Sequence, residues 1–160
     1  MKQQTIAFLC IIVLLTCMKC KKESSTGHLK LKVTYPEAVV IPEQPTYFVP
    51  VPGIGADVRL YNKDAICKGY KDAMLDIVWI GDEFATSKYK STTDEQGKVL
   101  FNNIPSGEYL LIVYARQISK YSEIYVEVNA GDTLILRKDF TPDGAFFEDL
   151  EPWDHEVPGY

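Results

Sequence analysis

The chain has 160 residues, which suits one domain, and 46% of them are hydrophobic, which is enough to form a core. Its formal net charge of -5 at pH 7 argues against a nucleic-acid partner. The sequence contains no G-x-S-x-G, P-loop or H-E-x-x-H motif, and its two histidines are His28 and His155. These features predict a single domain without enzymatic activity, cofactor or bound metal.

Residues 1–16 have the pattern of a secretion signal. Lys2 supplies the positive charge, and the apolar run Ile6–Leu15 is too short to span a bilayer, which needs roughly 20 apolar residues. The letters L-L-T-C that end at Cys17 resemble a bacterial lipobox, although Thr16 stands where a smaller residue is usual. We therefore expect lipid attachment at Cys17, with Cys20 as the alternative. A cleaved secretory signal without lipid and an uncleaved anchor are the rival interpretations.

This interpretation implies a cell-envelope protein that is attached by its lipid to the outer membrane. It would face either the periplasm or the cell surface. Two or three acyl chains, at about 0.8 kcal/mol per buried methylene, would hold it there permanently. The polar residues 17–27 then form a flexible tether between the lipid and the fold.

A domain of β-strands is predicted for residues 28–138. His28–Tyr35 alternates between apolar and polar residues and predicts a half-buried first strand. Pro36–Pro52 contains five prolines, so we expect an extended surface connection rather than a central strand. In the strand that follows, Ala56, Val58 and Leu60 are expected to face inward and Asp57, Arg59 and Tyr61 outward.

Residues 62–84 are predicted to be an insertion between strands. Asp64 is a candidate cap for a short helix, whereas the apolar run Leu75–Ile80 suits either a strand or the end of that helix. Loops on a rigid scaffold often carry function, so we name Tyr70 and Trp79 as candidate contacts for a ligand or partner, with Asp82 and Glu83 beside them.

The stretch 92–115, TTDEQGKVLFNNIPSGEYLLIVYA, has the clearest local pattern. A tight turn at Asp94–Gly97 leads into a short strand with Val99 and Phe101 on one side. A second turn leads into a strand that is apolar on both faces, which predicts a central strand covered on both sides.

This stretch, together with GIGADVRLY at 53–61, resembles the carboxypeptidase regulatory-like and transthyretin-like domains, including the Cna-B type. The resemblance implies an all-β, Greek-key-type antiparallel β-sandwich. Domains of this kind have many roles, so the resemblance indicates a fold more than a function.

Two further strands are expected over residues 123–128 and 133–137, followed by a C-terminal tail at 139–160. The tail has no Lys or Arg but holds seven acidic residues: Asp139, Asp143, Glu148, Asp149, Glu151, Asp154 and Glu156. Their spacing does not fit a calcium loop, so we interpret them as a solvated face. The tail also holds Trp153, a third candidate contact.

The outer face of the predicted sandwich carries an apolar stripe formed by Leu110, Ile112, Tyr114, Tyr125 and Ile135. Monomers seldom expose such stripes. We expect the aromatic residues of the tail, or the proline-rich segment, to cover it; a partner protein is the alternative.

The sequence as a whole predicts a lipid-anchored, non-catalytic binding or structural module with a protein or glycan partner. Carbohydrate binding through exposed aromatic residues is the first rival interpretation, and a hydrolase is the second.

Overall fold

The computed structural model describes residues 25–68, 72, 76–142 and 148–155. These residues form eleven strands and one 3₁₀ turn, Arg116–Ile118. The strands are β1 (Thr26–Val39), β2 (Tyr47–Pro52), β3 (Asp57–Asn62), β4 (Trp79–Ile80), β5 (Glu83–Phe84), β6 (Tyr89–Thr92), β7 (Lys98–Pro105), β8 (Gly107–Ala115), β9 (Lys120–Val128), β10 (Thr133–Asp139) and β11 (Asp154–His155). The predicted all-β class is confirmed. Within the described residues, no helix is long and apolar enough to cross a membrane.

Two sheets pack face to face. Sheet A has the order β11-β10-β1-β2, with β7 also paired to β1, and sheet B has the order β6-β3-β8-β9. The pairing is antiparallel except between β1 and β10, which run parallel. The predicted sandwich is therefore correct, but it is not purely antiparallel.

The core between the sheets follows the alternation of the sequence. Leu29, Leu31 and Val33 of β1 are fully buried, as are Val58 and Leu60 of β3 and Ala56 just before it. On β8, Leu111 and Val113 face this core, whereas Leu110, Ile112 and Tyr114 belong to a second apolar cluster on the other face. The prediction that β8 is a central strand covered on both sides is confirmed.

The turn at Asp94–Gly97 has the predicted chemistry. Oδ1 of Asp94 accepts hydrogen bonds from the backbone N–H groups of Gln96 (2.8 Å) and Lys98 (2.9 Å). Gly97 has a φ of 73°, a backbone conformation that residues with a side chain rarely adopt. An added Cβ would lie 2.4 Å from the carbonyl oxygen of Val33. The turn is thus pressed directly against β1.

The proline-rich segment differs from the prediction, since its two ends pair as strands instead of forming a surface connection. The second half of β1 pairs with β2, with Pro36 opposite Pro50. Gly53 N donates to Val33 O, so the residues that hydrogen-bond to β1 alternate along β2 with residues that do not. Pro50 and Pro52 occupy positions of the second kind, where the backbone nitrogen points away from β1. Among the described residues β2 pairs only with β1, so it is an edge strand, the usual place for proline.

The tail is only partly the solvated face that was predicted: Glu151 and Asp154 are exposed, but other residues of the tail are buried. Phe140 is buried in the main core, Trp153 packs against it, and β11 extends sheet A. Asp149 is buried and paired with Lys138, and Asp139 accepts hydrogen bonds from Thr34 and Arg137. Asp139 and Asp149 contact cations that lie on β9 and β10, a pairing that charge counting along the sequence did not reveal. The boundaries 28–138 and 139–160 remain a prediction.

Candidate functional site

The insertion after β3 forms a small third layer on the outer face of sheet B. Ile66 forms a β-bridge with Trp79, and β4 pairs with β5 so that Trp79 lies opposite Phe84. The predicted helix after Asp64 is wrong for residues 65–68, which are not helical. The turn there is closed by a hydrogen bond from Ala65 N to Asn62 O.

The inner face of this layer covers the apolar stripe. Ala65 and Val78 are buried against Leu110, Ile112 and Tyr114, and Cys67 and Ala85 pack at the margin. The insertion therefore covers Leu110, Ile112 and Tyr114, where we expected the tail aromatics or the proline-rich segment. Tyr125 remains 56% exposed and Ile135 lies on β10 of sheet A, so the prediction that these two belong to the covered stripe is wrong. The insertion also explains why Tyr61 is buried, although the alternation predicted it to face outward.

The outer face of the layer presents three side chains to solvent. We call Ile66, Trp79 and Phe84 the insertion face; Ile66 is 43% exposed and Phe84 is 69% exposed. The three residues are cross-strand neighbours, so their side chains lie on the same side of the layer. This places adjacent apolar side chains together on the surface of the molecule.

Trp79 is held in one position by three contacts. Its ring centroid lies 4.4 Å from that of Phe84, the ammonium of Lys68 lies 4.8 Å from it, and its Nε1 donates to Oδ2 of Asp72 at 2.7 Å. Since Phe84 and Lys68 both pack on the indole, the most accessible ring of the face is that of Phe84.

A network of charged side chains ties the insertion to sheet B. The guanidinium of Arg59 lies 2.5 Å from Oδ2 of Asp57 on its own strand and 3.0 Å from Oδ2 of Asp76 in the insertion. Arg116 pairs with the same two carboxylates, and Lys90 lies 3.5 Å from Asp57. Asp57 is therefore buried among cations, where the alternation had predicted an outward position.

The electrostatics of this network favour the ionised carboxylate. Burial alone would raise the pKa of Asp57, but the hydrogen bond and charge of Arg59, helped by Lys90 and Arg116, outweigh it and lower the pKa below its usual value. The guanidinium carbons of both arginines also lie within 6 Å of the Tyr114 ring, at 5.2 and 5.9 Å. The network therefore holds the insertion against sheet B.

The predicted contact residues do not come together. Trp79 lies on the insertion face, whereas Trp153 packs on the main core and donates from Nε1 to Oγ of Ser122 at 3.1 Å. Tyr70, Cys17 and Cys20 lie outside the described residues. Ile66 and Phe84 were not predicted, although the alternation A-I-C-K at 65–68 was a signal that could have identified Ile66.

In the described part of the chain, neither histidine lies near Cys67. His28, which hydrogen-bonds Asn102, and His155 of β11 both lie in sheet A. Cys67 packs against the outer face of sheet B. A Cys67–His pair is therefore separated by the sandwich. Within the same residues, no group of three or more His, Cys, Asp or Glu side chains is placed to hold a metal ion.

Comparisons with known proteins give one family model and several solved structures. The model, described as polysaccharide lyase family 4, domain II, matches residues 72–136. No curated protein matches the sequence.

The similar structures include the Bacillus anthracis TIE protein, with 17% identity, a TM-score of 0.39 and coverage of 71% of this chain and 16% of that one. The Streptococcus agalactiae minor pilin GBS52 has 16% identity, a TM-score of 0.40 and coverage of 72% and 44%. A candidate carbohydrate-binding protein of Pseudomonas aeruginosa has 14% identity, a TM-score of 0.38 and coverage of 73% and 91%. The chain thus spans less than half the length of the first two.

Proposed function

We propose that this protein is a non-catalytic binding module of the cell envelope, with the insertion face as its contact surface. The observation that carries the proposal is the exposure of Ile66 and Phe84 next to a fixed Trp79. Exposed apolar side chains grouped in this way are typical of binding surfaces, and their rigidity lowers the entropy lost on binding.

A saccharide is the more specific candidate for the ligand. The family model that matches residues 72–136 is named for polysaccharide lyases, and its match includes Trp79 and Phe84. An aromatic ring offers an apolar surface to the C–H groups of a sugar, and Lys68 and Asp82, both exposed, offer polar groups beside it. A protein partner is the alternative ligand.

The test compares Phe84→Ala with Leu100→Ala. Leu100 is 48% exposed and lies on β7 in sheet A, so it controls for the loss of an exposed apolar side chain. Both variants and the unchanged protein are screened on a glycan array and used to capture partners from detergent-solubilised envelopes.

We expect Phe84→Ala to weaken binding about tenfold or more and Leu100→Ala to leave it unchanged, because truncating an aromatic hot spot costs about 2 kcal/mol or more and tenfold corresponds to about 1.4 kcal/mol. Equal binding by both variants would refute the insertion face as the contact surface. Binding to glycans alone, or to an envelope protein alone, distinguishes the two ligand classes.

Anchoring through a lipid on Cys17, with Cys20 as the alternative, is the second part of the proposal. It is supported by the lipobox-like run and by the polar tether that precedes β1 at Thr26. The location that follows is the cell envelope, on the periplasmic or surface side of the outer membrane. A fatty-acid analogue should label the protein and the Cys20→Ser variant but not Cys17→Ser, and a fully soluble, unlabelled product would contradict the anchor.

A further inference from the structure

A surface cleft lies beside the insertion, where this layer ends on the outer face of sheet B. Its volume is about 350 Å³, which is in the range of small-ligand sites. Its lining comes mainly from the turn after β3, the start of β8 and the end of β9, with Lys63, Asp64, Glu108, Tyr125 and Glu127 as the side chains that matter below.

Tyr125 supplies an aromatic surface in this cleft. Its side chain is 56% exposed, and β9 places it on the outer face of sheet B opposite Leu110. Its hydroxyl donates to the carbonyl oxygen of Ala65 at 3.2 Å, so the insertion holds one end of the side chain. A half-exposed ring held in this way can stack on a ligand with little further loss of side-chain entropy.

The polar groups of the cleft are mostly hydrogen-bond acceptors. Glu108 on β8 is directly opposite Glu127 on β9, and Asp64 adds a third carboxylate. The ammonium of Lys63 lies 3.0 Å from Oε2 of Glu108, so this cation is already engaged. Carboxylates accept hydrogen bonds and an ammonium donates them, so both kinds of group are present beside the Tyr125 ring.

An aromatic ring among such acceptors fits a neutral sugar. A pyranose with equatorial hydroxyls, such as glucose, has C–H groups on both faces of its ring, and these pack on an aromatic surface. Its hydroxyls point outward, where carboxylates accept their protons in charge-assisted hydrogen bonds. A uronic acid brings a carboxylate of its own, which the three carboxylates of the cleft would repel.

The cleft adjoins the insertion face. Ala65 accepts the hydrogen bond of Tyr125, and the next residue, Ile66, belongs to that face. Ile66 is bridged to Trp79, which lies opposite Phe84. The rings of Tyr125 and Phe84 therefore lie on the same side of the sandwich, within the span of one chain of sugars.

We propose that the cleft at Tyr125 is a second sugar subsite, which holds a neutral, glucose-type unit of the same glycan chain that contacts the insertion face. The subsite rests on the proposed function, because one saccharide occupies both places. It adds a second contact, a preference for neutral sugars and a requirement for a chain of several units.

The experiment titrates the purified protein with cellobiose, with cellohexaose and with a hexamer of β-linked glucuronic acid, and it follows backbone amide resonances. We expect cellohexaose to shift the resonances of Tyr125, Glu127, Ile66 and Phe84 together, with one affinity. Cellobiose should bind more weakly, because it contacts one place at a time. The glucuronic acid hexamer should bind at least about tenfold more weakly than cellohexaose.

Substitutions at Tyr125 test the ring itself. Tyr125→Ala should weaken the binding of cellohexaose at least about tenfold and leave the shifts that cellobiose causes at Phe84 unchanged. Tyr125→Phe keeps the ring and loses the bond to Ala65, so it should bind nearly as well as the unchanged protein. Tyr47→Ala is the matched control, since it removes a tyrosine that is 47% exposed on β2.

A substitution at Glu127 tests the preference for neutral sugars. Glu127→Gln keeps the shape of the side chain and removes its charge, so it should narrow the difference in affinity between cellohexaose and the glucuronic acid hexamer. Equal binding of the two hexamers by the unchanged protein would refute this preference.

The outcomes separate the subsite from the proposed function. Cellohexaose binding that is weakened by Phe84→Ala but not by Tyr125→Ala would overturn the subsite and leave the insertion face as the contact surface. Absence of saturable shifts at Tyr125 and Glu127 would overturn it too, as would equal weakening by Tyr125→Phe and Tyr125→Ala, which would mean that Tyr125 only supports the insertion. Shifts confined to the cleft and unaffected by Phe84→Ala would refute the shared chain. The proposed function itself is decided by Phe84→Ala and Leu100→Ala on the glycan array and in the envelope capture.

Discussion

Nζ of Lys138 lies 2.7 Å from Oδ1 of Asp149, and neither side chain is exposed to solvent. The ammonium also donates to the carbonyl oxygen of Glu151 at 2.6 Å, and the other carboxylate oxygen accepts from Thr141 N at 2.8 Å. The pair fastens the C-terminal tail to β10. It is surrounded by aromatic rings, with Phe140 and Trp153 centroids 5.5 and 5.9 Å from the ammonium.

Replacing Asp149 with Asn should destabilise the protein strongly. The ammonium of Lys138 would remain buried without its counter-charge, and breaking a buried pair in this way costs roughly 3–5 kcal/mol. Urea unfolding measures the loss. Asp154→Asn, which changes an exposed acid of the same tail, should alter stability by less than about 0.5 kcal/mol. Similar effects from the two substitutions would show that the buried pair is not what fastens the tail.

Acid should weaken the folded protein through the same residue. Burial alone would raise the pKa of Asp149, but the hydrogen bond and charge of Lys138, with Thr141, outweigh it and lower the pKa. The folded state therefore takes up a proton at lower pH than the unfolded state, whose Asp titrates near about 3.9. The stabilisation is present above that pH and is lost as the pH falls through the lower, folded pKa.

The measurement is the free energy of unfolding between neutral pH and about pH 3. We expect a steeper fall in the unchanged protein than in Asp149→Asn. Asp57, whose pKa is lowered in the same direction, should contribute to the slope that remains in the variant. Parallel curves for the two proteins would contradict this assignment.

Substituting Gly97 with Ala should cost more than the same change at Gly131. Both glycines have positive φ, 73° and 80°, so both variants have backbone strain of about 1 kcal/mol or more. At Gly97 the new Cβ would also lie 2.4 Å from the carbonyl oxygen of Val33 on β1 and 2.8 Å from Gly53 N, whereas at Gly131 it meets nothing within 4 Å. The difference between the two melting temperatures isolates the close approach of the turn to β1, and equal losses would mean that the turn moves aside freely.

Replacing Asp76 with Asn should loosen the insertion without unfolding the sandwich. Asp76 is the insertion's partner for Arg59 and Arg116, and the half-exposed Arg116 limits the contribution to about 1 kcal/mol. Hydrogen exchange at the amides of Ile66 and Trp79, which bond each other's carbonyls, should become roughly fivefold faster. Asp82→Asn is the control, since Asp82 is fully exposed and 3.8 Å from Lys68. Unchanged exchange in Asp76→Asn would show that apolar packing alone holds the layer.

The sandwich could be predicted because its strands obey local rules. The alternation in β1 and β3 identifies the buried residues, and the Asp94–Gly97 turn has the side chains that its backbone requires. The two-faced apolar pattern of β8 also indicated correctly that something covers its outer side.

The identity of that cover could not be predicted, because it depends on contacts distant in the sequence. The apolar run Leu75–Ile80 suits a helix or a strand equally well, and the pairing of Ile66 with Trp79 decides for a strand at its end. The buried position of Asp149 depends in the same way on Lys138, eleven residues earlier, and on a tail that folds back.

If the proposed lipid anchor holds the protein on a membrane, Pro50 and Pro52 affect how neighbouring copies can contact one another. At these two positions the backbone nitrogen faces away from β1 but carries no N–H group. The open edge of β2 therefore has few hydrogen-bond donors to which a strand of a neighbouring molecule could pair. Molecules tethered to one surface reach high local concentrations, where open sheet edges promote aggregation. A proline-blocked edge would let this protein stay dispersed under that crowding.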